Sequence, residues 1–176
     1  MPDVLLITGA MAAGKSSLAQ ALAERLPRSV HLRGDVFRRM IVGGRAAMSV
    51  PLSDEAERQL DLRYRLAVDA ARTYVAAGFT VVYQDVILGP VLGDVVRRYA
   101  GLRLAVVVLC PRPEVLAARE AGRAKRGYPD AETITTLDYA LRADTPRLGL
   151  WLDTSDLPLA ESVEQVLACL AEAIIA

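Results

Sequence analysis

The run Gly9-Ala10-Met11-Ala12-Ala13-Gly14-Lys15-Ser16 places two glycines five positions apart and follows the second with a lysine and a hydroxyl. Each residue type has a physical use. The glycines let the backbone wrap so that its N–H groups face an anion. Lys15 is then placed to reach the β- and γ-phosphates of a nucleotide, and the Ser16 hydroxyl to ligate Mg²⁺. The run fits G-x-x-x-x-G-K-[ST] in full, so Gly9 to Ser17 are the expected phosphate-binding residues. Its surroundings fit as well. Val4 to Thr8 is an apolar run of strand length, and Ser17 to Leu26 carries Leu18, Leu22 and Leu26 at helical spacing. A helix starting there aims its positive end at the phosphates.

Further constellations could complete the chemistry. Gly34-Asp35 follows a short predicted strand, Ser29 to Leu32, with Arg38 and Arg39 on the next helical turn. Ligands of α/β sheets collect at the carboxyl ends of strands. A carboxylate there can accept a proton from an attacking hydroxyl, and arginines can hold a polar or anionic acceptor. Asp35 could also simply N-cap the short helix, and the two uses are compatible. Gln84-Asp85 ends the strand Phe79 to Tyr83, where an acidic residue is expected to contact Mg²⁺ or its water. Arg119, Arg123 and Arg126 share one helix face. That face is either solvated or part of a lid that neutralises a transferring phosphoryl group and excludes water.

The elements that must position these residues alternate along the chain. Asp35 to Ile41 reads as a short helix and Val42 to Leu52 as a loop. Ser53 opens a long helix with Asp54, Glu55 and Glu57 in its first turn, ended by Gly78. Val91 to Tyr99 reads as a helix and Leu102 to Leu109 as the most apolar strand. Helices over Glu114 to Lys125 and Ala131 to Ala143 follow, then a strand at Leu148 to Leu152 and a helix over Glu161 to Ile175. Five strands with helical connections predict a mostly parallel sheet covered on both faces. The strands are apolar throughout, as a doubly covered sheet requires.

Composition narrows the partners. The chain has 176 residues, one domain's length, with 21 basic and 21 acidic side chains. Balanced charge gives no reason to expect long nucleic acid or an anionic membrane. A single histidine, His31, and two cysteines, Cys110 and Cys169, make neither a zinc site nor a disulfide framework. His31 reads as ending a strand, and the cysteines as small hydrophobes. With no basic run before an apolar stretch at Met1-Pro2-Asp3 and no span of membrane length, a cytoplasmic protein is expected. Trp151 reads as core packing, and Tyr64 or Tyr74 as a candidate lining for an acceptor pocket.

Together these segments resemble the chloramphenicol phosphotransferase family, small P-loop kinases related to nucleoside monophosphate, gluconate and shikimate kinases. Ile7-Thr8-Gly9 through Lys15-Ser16-Ser17 is similar to its phosphate loop, and Gly34-Asp35 falls where it carries its base. Val81 through Leu88 resembles its second acidic segment, with Gln84 where that pattern has a first acid and Asp85 retained. Arg119-Glu120 with Arg123 and Arg126 resembles its R-E-x-x-R-x-x-R lid, and Asp153-Thr154-Ser155 the loop lining the adenine. The stretch Arg38 to Pro51 is shorter than the family's and unlike it.

The resemblance implies a three-layer α/β/α fold, a parallel sheet in order 2-3-1-4-5, and one domain over 1–176 with a lid near 119–135. It implies MgATP as donor and a small-molecule hydroxyl, an antibiotic among the candidates, as acceptor. Lys15 would be the γ-phosphate ligand, Ser16 and Asp85 the metal ligands, and Asp35 the base, with Asp85 as the other candidate base. Arg119, Arg123 and Arg126 would be lid cations, and Asp35, Arg38, Arg39 and Asp85 would meet the acceptor. Competing expectations are a nucleotide or nucleic-acid-end kinase, and a nucleotide-binding accessory ATPase with no acceptor. A homo-oligomer is compatible with all of them.

Overall fold

β1 (Val4–Gly9) lies at the centre of a five-stranded sheet in the order β2-β3-β1-β4-β5, with every neighbouring pair parallel. The other strands are β2 (Ser29–Arg33), β3 (Thr80–Gln84), β4 (Leu104–Leu109) and β5 (Leu150–Leu152). The computed structural model describes residues 1–49, 51–122 and 131–175, with backbone alone at 131 and 132. The strand order is the one the family resemblance implies.

Alternate residues along each strand face opposite sides. Leu5, Ile7, Val82, Ala105, Val107 and Leu109 pack beneath α1 (Lys15–Glu24) and α7 (Leu159–Ala168). Val4, Leu6, Val81, Tyr83, Val106 and Val108 pack beneath α3 (Asp54–Ala76) and α4 (Val91–Arg98). Every residue of β1 and β4 is buried, which is why neither strand alternates in polarity. The remaining helices are α2 (Gly34–Arg39), α5 (Pro113–Ala121), α6 (Ala131–Tyr139) and α8 (Leu170–Ala173). Ser53 caps α3 by accepting a hydrogen bond from the Ala56 N–H at 3.2 Å, as the acidic first turn suggests. No helix among the described residues is long and apolar enough to cross a membrane.

Two predicted helices are broken. The helix expected over Ala131 to Ala143 gives way to a π-helical turn, Ala140–Asp144. Thr145 explains the change. Its hydroxyl donates to the Ala140 carbonyl at 2.8 Å and accepts from the Gly89 N–H at 2.7 Å, and Pro146 follows it. A residue before proline is pushed out of the helical region. The helix expected over Glu161 to Ile175 ends at Ala168, and a short α8 follows. The chain then extends, so that Ile174 bridges Ala105 and the Ile175 N–H bonds the Leu104 carbonyl at 2.9 Å. Extended neighbours point to opposite sides, so Ile174 joins one core and Ile175 the other, which a helix would not allow.

Candidate functional site: a phosphate loop and two strand-end carboxylates

The loop after β1 alternates handedness. Gly9 has φ +144°, Ala12 φ +61° and Gly14 φ +94°. Gly9 is required twice over, because a Cβ there would also meet the Leu109 carbonyl at 2.5 Å. Ala12 in the left-handed region is strained by roughly 1–2 kcal/mol, a type of strain that concentrates where a loop's shape is its function. Successive N–H groups in such a loop form a concave anion site at the start of α1. Lys15 is 8% exposed, and its ammonium donates to the Gly9 carbonyl at 2.9 Å and the Ala10 carbonyl at 2.7 Å. The lysine therefore folds back over the loop. Ser16 and Ser17 stand exposed in the first turn of α1.

A cleft of about 260 Å³ continues from the loop, lined by Gly14, Ser17, Leu18, Arg119, Thr154 and Leu157 among others. Arg119 donates to the Thr154 carbonyl at 2.6 Å and to its hydroxyl at 3.3 Å. The cation of α5 is thus tied to the loop after β5. Asp153 stands exposed on that loop. Its Oδ1 accepts from the Ser155 N–H at 2.8 Å and the Ser155 hydroxyl at 2.5 Å, which holds its carboxyl below the usual range. Arg123 and Arg126 lie outside the described residues, as do the other residues of 123–130 in the expected lid.

The second half of the site sits at the ends of β2 and β3. Register places Arg33 beside Gln84, and Gln84 beside Ile7, so Gly34-Asp35, Asp85 and the phosphate loop leave the same edge of the sheet. Asp85 is 2% exposed. Its Oδ2 accepts from Arg63 Nε at 2.7 Å and from the Tyr83 hydroxyl at 2.9 Å. Its Oδ1 accepts from the Val86 N–H at 2.7 Å and pairs with Arg63 Nη2. Burial pushes the Tyr83 phenol far above its ordinary value and lowers that of Arg63. Tyr64, pushed up to about 12 by burial, donates to the Val86 carbonyl at 3.1 Å. Thr8 exchanges hydrogen bonds with both backbone groups of Ile87. The segment after β3 is therefore pinned from β1 and α3 together.

Gly34 packs directly on the Asp85 carboxylate, and a Cβ at Gly34 would fall far inside contact with Asp85 Oδ2. We predict that Gly34→Ala costs about 1–3 kcal/mol by overpacking. Urea unfolding checks the value, and an unchanged midpoint would show that Asp85 can move aside. Asp35 is half-buried, with Oδ2 at 3.2 Å from Arg39 Nη2. Arg38 Nη2 donates to the Ala46 carbonyl at 2.8 Å. Gln59 holds the same loop, accepting from the Ala46 N–H at 2.9 Å and donating to the Gly44 carbonyl at 2.8 Å.

Sequence reasoning missed Arg63 and Gln59. Both lie on the buried stripe of α3 that runs through Ala56, Gln59, Tyr64, Ala67 and Ala71. A polar residue on an apolar stripe at helical spacing was the available signal. Tyr64 braces the segment after β3, whereas Tyr74 is 41% exposed and meets Phe79 edge-on. His31 Nδ1 lies 2.8 Å from the Gln20 side-chain oxygen on α1. Trp151 is half-buried, with the Arg147 guanidinium stacked 3.9 Å from its ring centre.

Comparison with known proteins places this arrangement. The AAA domain family matches residues 4–146. The tunicamycin resistance protein of Deinococcus radiodurans superposes with a TM-score of 0.74 at 19% identity, covering 100% of this chain and 99% of its own. An unliganded sugar kinase from Janibacter sp. HTCC2649 superposes at 0.72 and 20% identity, over 97% of this chain and 95% of its own. A gluconokinase from Sinorhizobium meliloti 1021 reaches 0.68 at 26% identity, over 97% of this chain and 92% of its own. No curated protein matches the chain. With its phosphate loop, its sheet order and a match over most of its length, the chain belongs to the AAA domain family and has the fold of the small P-loop kinases.

Proposed function

We propose that the protein transfers the γ-phosphoryl group of MgATP to a hydroxyl of a small molecule. The observation that carries this reading is one sheet edge holding both halves of such a reaction. The Lys15 loop leaves β1, Asp85 held by Arg63 follows β3, and Asp35 beside Arg39 follows β2. In-line phosphoryl transfer asks little covalent work of the protein and much positioning and charge balance. The Gly9–Ser17 loop and Lys15 hold the phosphates, and Arg119 and Thr154 close the cleft on the nucleotide side. Asp35 orients and deprotonates the acceptor hydroxyl. Asp85 has both oxygens engaged by Arg63, Tyr83 and Val86, so we assign it to bracing Arg63 and leave the base role to Asp35.

The residues present fit Mg²⁺. Ser16 offers an exposed hydroxyl beside Lys15, and no group of three ligating side chains among the described residues would bind an ion by itself. That donor set suits an ion that keeps several waters and binds largely through substrate phosphates. When bound, it neutralises charge on the β- and γ-phosphates. An antibiotic is one acceptor class, on the resemblance to chloramphenicol phosphotransferases and to the tunicamycin resistance protein.

The test is ADP release from MgATP with a panel of hydroxyl compounds: chloramphenicol, nucleoside antibiotics, nucleosides, sugars and a short oligonucleotide. A compound that stimulates release only when Lys15 is present names the acceptor class. Tight ATP binding with no stimulated release by any hydroxyl compound would favour a nucleotide-binding switch instead. On the nucleotide side, we predict that Arg119→Ala raises the KM for ATP about tenfold, the scale of one lost charge-assisted contact. An unchanged KM would move Arg119 out of the nucleotide site.

A further inference from the structure

Two polar side chains meet beside the phosphate loop, and neither has a partner. Along β3, Val82 packs beneath α1 and Tyr83 beneath α3, so Gln84 faces the α1 side. Asp85 takes the other side, where it accepts from the Tyr83 hydroxyl. Gln84 is 6% exposed, and its amide makes no hydrogen bond among the described residues. Neither amide atom is sealed from solvent, so a ligand can reach it. A buried amide is costly until something satisfies it. Its neighbours across the sheet are Ile7, two residues before Gly9, and Arg33.

Arg33 continues the same face. His31 meets Gln20 of α1, Leu32 packs into the opposite core, and Arg33 is still extended at φ −101° and ψ 112°. Its side chain therefore returns to the α1 side, one step nearer the phosphate loop than His31. α1 runs back between parallel strands, so Ser16, one turn before Gln20, comes to that level too. Arg33 is exposed and pairs with no carboxylate among the described residues. Asp35, two residues on, pairs with Arg39 instead.

We propose that Arg33 and Gln84 bind the γ-phosphate of the nucleotide directly and form a second wall of its site. A permanent cation and an amide with free donors suit a phosphate oxygen. Their place in the sheet selects the γ-phosphate. Arg119 and Thr154 close the cleft on the β4 and β5 side of β1, whereas Arg33 and Gln84 stand on the β2 and β3 side, from which Asp35 leaves. In-line transfer puts the γ-phosphate between the rest of the nucleotide and the acceptor. The proposal rests on the phosphotransferase reading and deepens it.

The test is calorimetric binding of ADP and of adenylyl imidodiphosphate, a non-hydrolysable ATP analogue, with Mg²⁺ or with EDTA. Arg33→Gln should weaken the analogue about tenfold in both media, the scale of one charge-assisted hydrogen bond, and leave ADP within about twofold. Retained ADP binding also shows that the variant is folded. Arg33→Lys should keep part of the analogue's affinity. Gln84→Glu should weaken the analogue in EDTA, by placing a charge against the γ-phosphate, and Mg²⁺ should recover most of the loss. Equal loss of both nucleotides in Arg33→Gln, no loss of either, or a Gln84→Glu that binds the analogue like wild type in EDTA overturns the proposal. The two readings fail separately. An Arg33-dependent analogue affinity in a protein that releases no ADP with any hydroxyl compound keeps this contact and sinks phosphoryl transfer. Stimulated ADP release by wild type, with analogue binding indifferent to Arg33→Gln, does the reverse.

Discussion

Lys15→Ala is expected to lower kcat/KM for MgATP by about 10³-fold while leaving the protein folded. The magnitude follows from what the ammonium does. A positive group aimed at charge that develops in the transition state is worth about 10²–10³ when it is a single donor, and a full charge in a dry site lies at the upper end. Lys15 is nearly buried and fixed by the Gly9 and Ala10 carbonyls at 2.9 and 2.7 Å, so its position is set before substrate arrives. The chain has one other lysine, Lys125, and it is remote in sequence. Lys15→Arg should fail almost as badly, because a planar fork does not fit a pocket shaped for a point charge. Steady-state ADP release with a responsive acceptor measures the loss, and thermal unfolding confirms the fold. A variant that keeps more than about a hundredth of the activity would take Lys15 out of the reaction and leave it a loop brace.

How far the site can be read from sequence depends on whether its contacts are local. The phosphate loop is legible in full because all of its determinants lie within one strand–turn–helix. The sheet is legible because parallel, doubly covered strands advertise themselves as uninterrupted apolar runs. Gly34-Asp35 is legible as a strand-end pair, yet the reason for glycine is not. That reason is the carboxylate of Asp85, just past the end of another strand and far along the chain. Arg63 hides for the same cause. On α3 it stands among Arg58, Arg65 and Arg72, and only its place on the buried stripe distinguishes it from a solvated face. The sequence leaves the base open between Asp35 and Asp85 and makes Asp85 a metal ligand as well; in the structure Asp85 is buried and holds Arg63, whereas Asp35 is half-buried.

Those two acids should therefore fail in opposite ways. Asp35→Asn keeps the size and shape of the side chain and removes only its ability to take a proton, so transfer should fall by about 10²–10⁴-fold, the usual contribution of a general base. Stability should change little, because the ion pair it loses to Arg39 is half-exposed at 3.2 Å, and such pairs contribute about 0–1 kcal/mol. Affinity for ATP should also hold, since Asp35 leaves the sheet two strands from the phosphate loop. Asp85→Asn should do the reverse at equilibrium. It leaves the Arg63 guanidinium buried without a counter-charge, a loss of about 3–5 kcal/mol when one partner of such a pair is removed. Urea unfolding and acceptor-stimulated ADP release, measured on both variants, separate the roles. If Asp35→Asn keeps its rate while Asp85→Asn stays folded and loses transfer, the base is Asp85, and the brace must be reassigned to the hydrogen bonds of Tyr83 and Val86.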